Sequence, residues 1–353
     1  MSAHLFGPLA LRSVTLRNRI AMSPMCQYSA NEGRATDWHL VHYGARAMGG
    51  AGLVVFEATA VEARGRISPW DLGLWEDGQV EPLARTVTFV EGQGAASCVQ
   101  LAHAGRKASV GQPWTGGKPV PPAEGGWKTV APSAIAFPGY PEPEALDEAG
   151  IRGVVDAFAA ATRRARAAGF RAVEVHAAHG YLLHQFLSPL ANRREDRFGG
   201  SFENRTRLTR EVVAAVRAAW PEELPVLVRI SATDWTDGGW DVEQSVELSR
   251  ALRGLGVDLV DVSTGGLVPA RIAAGPGYQT GFSERIRREA GIATGTVGMI
   301  ESPAQADHVI RSGQADLAFL ARELLRDPQF PLRAARELGQ EIRWPDQYAR
   351  AKR

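Results

Sequence analysis

Short apolar runs alternate with longer amphipathic runs along nearly the whole chain. The apolar runs lack polar alternation, which is typical of strands buried on both faces. The amphipathic runs have helical spacing, and several follow a good N-cap residue such as Asp37, Asp147, Asp241 or Ser302. The pattern predicts strands over 20–25, 52–61, 97–103, 172–176, 225–231, 259–263, 292–297 and 317–321, and helices over 38–48, 80–93, 148–168, 203–220, 242–255, 283–290, 303–312 and 331–338.

Eight strand-then-helix units predict an α/β fold, a (β/α)8 TIM barrel formed as a single domain over residues 1–353. A doubly wound open sheet is the structural alternative. Two segments interrupt this alternation of strands and helices. Residues 111–143 are rich in Gly and Pro and predict a long excursion after strand 3, over or beside the carboxyl ends of the strands. Residues 192–204 form a second, polar excursion after the fourth unit.

The overall composition excludes several classes of protein. A net charge of +1 argues against a nucleic-acid-binding surface. No window holds eighteen apolar residues, and the first residues lack a basic and then apolar leader, so we expect a cytoplasmic protein without a membrane partner. Cys26 and Cys98 both lie in apolar surroundings, which favours reduced thiols over a disulfide.

The sequence His-Ala-Ala-His-Gly-Tyr begins at His176, the last residue of the fourth predicted strand. Residues three apart face opposite sides of a continuing strand, but a turn after His176 would bring His179 and Tyr181 beside it. Three converging donors can bind an electron-rich oxygen and deliver a proton. Core histidines, or a metal site completed by Glu174 or His184, are the alternatives for the pair, and a satisfied core aromatic is the alternative for Tyr181. We expect no metal ion.

Working residues of a TIM barrel lie at the carboxyl ends of its strands. Glycine turns before helix N-termini suit a phosphate there, and an arginine would add a bidentate clamp. The distinctive residues at these ends are Ser23, Pro24, Met25, Cys26 and Tyr28 (strand 1), Ala60 (strand 2), Gln100, His103, Arg106 and Lys107 (strand 3), Arg229 (strand 5), Ser263 and Gly265 (strand 6), Gly298 and Met299 (strand 7), and Ala321 and Arg322 (strand 8).

Six motifs carry a resemblance to the Old Yellow Enzyme family of FMN-dependent ene-reductases, and within it to the thermophilic-like bacterial subclass. The likeness covers nearly the whole chain, and the order and spacing of the motifs match the family pattern. The motifs are S-P-M-C-Q-Y (23–28), Q-L-A-H-A-G-R-K (100–107), H-A-A-H-G-Y-L (176–182), R-E-D-R-F-G-G-S-F-E-N-R (194–205), G-M-I (298–300) and R-E-L-L-R-D-P (322–328).

The resemblance implies an NAD(P)H-dependent oxidoreductase with tightly bound FMN, using NADPH or alternatively NADH. It would reduce activated alkenes (enones, enals or maleimides) by ping-pong hydride transfer through flavin N5. His176 and His179 would bind the substrate oxygen, Tyr181 would donate the proton, Tyr28 would line the pocket, and Cys26 would tune the flavin. The implied cofactor-binding residues are Ser23, Pro24, Met25, Cys26, Ala60, Gln100, Arg229, Ser263, Gly265, Gly298, Met299, Ala321 and Arg322.

Some of these residues keep structural alternatives. Gln100 could belong to a buried side-chain network, and Arg229 to an ion pair with Asp258 or Asp261, because buried polar groups need partners. For Arg106 and Lys107 a salt bridge between loops is as good an interpretation as a flavin contact. The sequence also departs from the subclass at Ala321, where glycine is usual, and in the length of residues 111–132.

The tail, residues 340–353, resembles a segment that inserts an arginine into a neighbouring subunit. This implies Arg350 as a substrate-binding residue and a homodimer or homotetramer, whereas a disordered basic tail is the alternative. Two other functions are considered. A flavin-free lyase or aldolase acting on a phosphorylated substrate would need a strand-end lysine, and Lys107 alone fits. A non-catalytic flavin-binding redox sensor would not need the pocket donors.

Overall fold

The computed structural model describes residues 4–352. The single domain predicted over 1–353 stays a prediction, and its outermost residues, 1–3 and 353, lie outside the described range. The chain begins with an antiparallel hairpin of β1 (Leu9–Leu11) and β2 (Val14–Leu16) that the sequence pattern missed. Because Ser13 hydrogen-bonds to Glu223 O, just before a barrel strand, this hairpin lies at the amino-terminal end of the barrel.

The predicted TIM barrel is confirmed. Within residues 4–352, eight parallel strands close on themselves, each pairing with the next and the last with the first. Their interiors are almost wholly buried, as unbroken apolar runs require. The barrel strands are β3 (Ile20–Met22), β4 (Leu53–Ala60), β5 (Ala96–Ala102), β8 (Ala172–Ala177), β9 (Val226–Ser231), β10 (Leu259–Ser263), β11 (Ala293–Thr296) and β12 (Leu317–Leu320); β6 (Val130–Ala131) and β7 (Glu144–Ala145) form a separate parallel pair.

Helices cover the outside of the barrel. The predicted N-caps Asp147, Asp241 and Ser302 each accept a backbone N–H of the first turn. At the first helix the prediction was wrong by one residue, since Thr36 is the cap and Asp37 lies inside. The helices are α1 (Asp37–Met48), α2 (Val80–Gly92), α3 (Glu148–Ala167), α4 (Leu182–Leu187), α5 (Phe202–Ala219), α6 (Val242–Gly254), α7 (Thr280–Ala290), α8 (Pro303–Arg311), α9 (Arg322–Arg326) and α10 (Phe330–Glu337).

The Gly- and Pro-rich excursion follows β5, as expected, and lies against the loop after β4. Trp127 Nε1 donates to Arg64 O at 2.7 Å, and Gln112 Nε2 donates to Tyr28 O at 3.0 Å. The excursion therefore covers the carboxyl end of the barrel above its first three strands. Throughout the described part of the chain, every helix is too short or too polar to cross a membrane.

Candidate active site

The two histidines and the tyrosine of the fourth unit meet at the carboxyl end of β8. The strand continues through Ala177, and the chain then turns through left-handed backbone at His179 (φ +58°) and Gly180 (φ +73°). The ring centroid of His176 lies 5.3 Å from that of His179 and 5.1 Å from that of Tyr181. The predicted turn is therefore present, one residue later than expected, and it brings the three side chains together.

Close backbone packing fixes this turn. A Cβ added to Gly180 would lie 2.1 Å from Gly266 O, so only glycine fits. Lys107 Nζ donates to His179 O at 2.8 Å and to Gly266 O at 3.0 Å, and thus joins the turn after β8 to the turn after β10. His179 N also donates to Ser231 Oγ at 2.9 Å. The sequence left Lys107 between a salt bridge and a flavin contact, and the structure gives it two backbone acceptors instead.

Burial keeps the pocket donors uncharged. It is the main cause that lowers the pKa of His176 and of His179 well below their ordinary value, and the charge of Arg229 acts in the same direction. Burial likewise raises the pKa of Tyr181 far above its usual range, so its phenol keeps its proton. His179 Nε2 lies 2.7 Å from Ser263 Oγ, whereas the buried Nδ1 of His176 has no partner in the protein.

The two residues considered as further metal ligands have other partners. His184 accepts the N–H of Gly180 at Nδ1, and its Nε2 lies 2.9 Å from Asp234 Oδ1. Glu174 accepts a hydrogen bond from Gln100 at 2.8 Å. Within residues 4–352, no three His, Cys, Asp or Glu side chains are grouped to hold a metal ion.

The loop after β3 carries Cys26 to the pocket. Cys26, Tyr28 and Tyr181 pack together against a small apolar cluster that includes Ala58 and Ala102. Burial, with smaller effects from Asp71 and Glu57, raises the pKa of the Cys26 thiol well above its ordinary value. The thiol is therefore protonated at neutral pH and is not poised as a nucleophile.

The site has two cavities. One is a narrow gap, too small for a water molecule, and is bordered by Tyr181 and by Ala60, the predicted residue of strand 2. The other has a volume of about 160 Å³ and lies at the ends of β10, β11 and β12. Six predicted cofactor-binding residues border the larger cavity: Arg229, Ser263, Gly298, Met299, Ala321 and Arg322.

The larger cavity also contains residues that the sequence pattern missed. Tyr278 and Gln279, which directly precede α7, border it. Gln279 Oε1 accepts from Thr264 Oγ1 at 2.6 Å, and its Nε2 donates to Val297 O at 2.7 Å. Their position after a Gly- and Pro-containing stretch at a strand end is the one signal that the sequence offered for them.

Gln100 and Arg229 point into the barrel and have the partners named as alternatives. Gln100 Nε2 donates to Glu174, and Arg229 Nε lies 3.0 Å from Asp261 Oδ2, without the alignment of a hydrogen bond. Asp258, the other candidate partner, pairs with Arg12 at 2.7 Å. The hydrogen bond to Glu174 uses the Gln100 amide nitrogen and does not involve its amide oxygen.

Four other predicted residues lie in the loops after β3 and β10, and one lies elsewhere. Ser23 follows β3 with a buried hydroxyl that has no protein partner. Pro24 and Met25 continue that loop, and Gly265 adopts φ +69° in the turn after β10. Arg350 is exposed in the tail helix Asp346–Ala351; the residues just before it, from 343 to 347, lie beside Arg17 and Gly94 at the amino-terminal end of the barrel. It is not part of this chain's own pocket.

A barrel whose mouth combines neutral imidazoles, a phenol and an arginine beside glycine turns has the features of a cofactor-dependent oxidoreductase site. The orphaned Nδ1 of His176 and hydroxyl of Ser23, together with the arginine-bordered cavity, fit a flavin with its phosphate.

Comparison with known proteins also indicates a flavin-dependent oxidoreductase. The profile of the NADH:flavin oxidoreductase / NADH oxidase family matches residues 4–341. The chain belongs to this family, that of Old Yellow Enzyme, and is an NAD(P)H-dependent oxidoreductase. It is 50% identical over 353 residues to an NADPH dehydrogenase of Geobacillus thermodenitrificans (99% of each chain), and 48% identical over 350 residues to one of Listeria monocytogenes (98% of each).

Solved structures show the same fold. Morphinone reductase has a TM-score of 0.81 at 30% identity, covering 98% of this chain and 92% of that one. The Old Yellow Enzyme homologue of Zymomonas mobilis has a TM-score of 0.80 at 27% identity, covering 98% and 95%. Family membership implies a flavin and a nicotinamide reductant, as the sequence predicted.

Proposed function

We propose that this protein is an FMN-dependent NADPH dehydrogenase that reduces activated C=C bonds, such as those of enones, enals and maleimides. The observation that carries the proposal is the convergence of two neutral imidazoles and a protonated phenol at the barrel mouth. The names of its relatives, which are NADPH dehydrogenases, support NADPH as the reductant, with NADH as the other candidate.

The larger cavity suits the phosphate of FMN, because Gly298, Ala321 and Arg322 border it, and backbone N–H groups there and the Arg322 charge would bind the anion. Gln100 and Arg229 would bind the pyrimidine edge of the ring, and Cys26 would lie near its C4 oxygen and N5. The other proposed cofactor-binding residues are Ser23, Pro24, Met25, Ala60, Ser263, Gly265 and Met299. When bound, FMN supplies the centre that accepts hydride from NADPH and returns it to the alkene.

The chain's own groups polarise the substrate. His176 and His179 would each donate one N–H to the oxygen of the electron-withdrawing group, because a neutral imidazole carries a single ring N–H. This draws electron density from the C=C bond and prepares its β-carbon for hydride. Tyr181 would then donate its phenolic proton to the α-carbon, and Tyr28 would line the pocket. NADPH and alkene would occupy the same place in turn, which gives ping-pong kinetics.

One spectroscopic experiment tests this proposal. The purified protein should be yellow, should bleach anaerobically with NADPH, and should regain its colour on addition of cyclohexenone. A colourless protein would instead favour the lyase or aldolase alternative, in which Lys107 would be the reactive amine. Bleaching without recovery would favour the redox sensor.

Matched variants test the roles of the imidazoles. The double variant His176→Ala/His179→Ala should retain flavin and bleach normally, while colour recovery slows by about 100-fold or more. His308→Ala is the control, because that histidine is exposed on α8, away from the barrel mouth. Equal recovery rates in the double variant and the wild type would contradict the assignment.

We also propose that Arg350 enters the pocket of a neighbouring subunit in a homodimer or homotetramer. Its place at the amino-terminal end of its own barrel, exposed on a short helix, supports this role in trans.

A further inference from the structure

Part of the barrel interior is polar. The interior layers of TIM barrels are usually filled by branched aliphatic side chains. Here β5, β8, β9 and β10 contribute Gln100, Glu174, Arg229 and Asp261, which we call the polar layer. Gln100 pairs in register with Glu174, and Arg229 with Asp261. None of the four is more than 5% exposed.

The polar layer holds two carboxyl groups against one guanidinium. Arg229 lies 3.0 Å from Asp261, and its charge also acts on Glu174. Glu174 receives one hydrogen bond, from Gln100, and its second oxygen is buried without a hydrogen-bond partner, as are both oxygens of Asp261. If both carboxyl groups were ionised, one negative charge would stay uncompensated in the barrel interior, which is costly.

The neighbouring titratable groups do not supply the missing charge. Cys98 lies two residues before Gln100 on β5, and burial raises the pKa of its thiol well above the ordinary value. His176 lies two residues after Glu174 on β8, and burial lowers its pKa so that its ring is neutral. Compensation must therefore come from a proton within the polar layer itself.

Both carboxyl groups of the polar layer are raised in pKa. Burial and the neighbouring Asp261 raise the pKa of Glu174 to about 8, whereas Arg229 opposes the increase. The pKa of Asp261 is raised as well, by burial, and the Arg229 charge is the one effect that lowers it. Two carboxyl groups coupled in this way titrate as a pair, so near neutral pH the pair holds one proton.

We propose that Glu174 and Asp261 share one proton, and that this proton sets the net charge that the polar layer presents to the pyrimidine edge of FMN. The two carboxyl groups are positioning residues, because they contact Gln100 and Arg229 rather than the substrate. This inference rests on the proposed function, in which Gln100 and Arg229 bind that edge. With the proton in place the polar layer is neutral overall; without it the polar layer carries one negative charge, which disfavours a reduced, anionic flavin.

The test is the flavin reduction potential of the holoprotein, measured by dye equilibration at about pH 6.5 and about pH 9, either side of the pKa of about 8. Glu174→Gln mimics the protonated acid. We expect its potential to equal that of the wild type at the lower pH and to exceed it at the higher pH. A tenfold change in the affinity ratio of reduced to oxidised flavin is the expected size, about 30 mV for a two-electron couple.

Two further variants sharpen the comparison. Glu174→Gln/Asp261→Asn removes both acids, so its potential should exceed that of the wild type at both pH values. Asp258→Asn is the control, because that carboxylate pairs with Arg12 outside the barrel lumen, and its potential should follow the wild type throughout. A Glu174→Gln potential that differs from the wild type equally at both pH values would overturn the proposal.

Infrared difference spectroscopy tests the proton without using the flavin. The spectrum of wild type minus Glu174→Gln should show a carboxylic-acid C=O band at about pH 6.5 that is lost at about pH 9. Absence of the band at the lower pH would refute the shared proton. If the protein proved to lack flavin, the proposed function would fail, whereas this spectrum would still decide whether the pair holds a proton.

Discussion

Replacing Gly180 by alanine tests whether close backbone packing holds the active-site turn. The added Cβ would lie 2.1 Å from Gly266 O, where ordinary contact begins at 3.4 Å, so the two turns must separate by about 1.3 Å. Gly238 is the matched control. Its φ of +72° equals the +73° of Gly180 within a degree, but a Cβ there meets nothing within 4 Å.

The two variants share the cost of a left-handed alanine, about 1–2 kcal/mol. Gly180→Ala adds overpacking of about 1–3 kcal/mol, so we expect it to lose about 2–5 kcal/mol of unfolding free energy in total. The separation also stretches the bonds from Lys107 to His179 O and Gly266 O, now 2.8 and 3.0 Å. A shift of this size at His179 should lower alkene reduction by about 100-fold.

Urea unfolding and steady-state alkene reduction measure the two effects, with flavin fluorescence as a check that the cofactor stays bound. Gly238→Ala should lose about 1–2 kcal/mol and keep its activity within about twofold. If Gly180→Ala matched Gly238→Ala in both stability and rate, the packing argument would be refuted. Should Gly180→Ala fail to fold, Gly266→Ala gives a milder form of the same clash, with its Cβ 2.7 Å from His179.

Three other predictions concern single side chains. Burial raises the pKa of Glu57 from 4.5 to about 8, so the folded protein keeps a proton that the unfolded chain releases, and stability falls as pH rises across that window. Glu57→Gln cannot lose this proton, so its unfolding free energy relative to that of the wild type should rise by a few kcal/mol between pH 4.5 and about 8. A difference in unfolding free energy that stays constant with pH in urea titrations would contradict this. Tyr181→Phe should slow the alkene half-reaction in stopped flow more than reduction by NADPH, and equal slowing would count against the proton-donor role. Sedimentation should show an oligomer, and Arg350→Ala should raise its KM for the alkene, whereas an unchanged KM would place this residue outside the pocket.

Much of the fold could be predicted from the sequence because buried parallel strands need unbroken apolar runs, and all eight barrel strands lie within or beside the predicted ranges. The strand predicted over 20–25 ends at Met22, since Pro24 cannot donate to a ladder. The short α4 was missed because its six residues are all buried and show no amphipathic pattern. Local sequence did not indicate it.

The site was predictable where it depends on strand ends and less so where it depends on contacts between distant loops. The turn after β8 was expected from the spacing of His176 and His179. The link from Lys107 to Gly266 was not, because it joins loops whose separation in the sequence is 159 residues. The sequence offered two aspartates, Asp258 and Asp261, as ion-pair partners of Arg229. The strand register places Asp261 opposite Arg229, whereas Asp258 pairs with Arg12.

The two cavities of the site are made from different parts of the chain and by different means. The turns after β10 and β11, with Arg229 of β9 and Arg322 of α9, border one, whereas Tyr181, Asp71 and mostly apolar residues border the other. The residues that border the first are distinct from those that border the second. Substitutions beside Tyr181 therefore leave every residue of the proposed phosphate site in place, which makes the two regions separable targets for engineering.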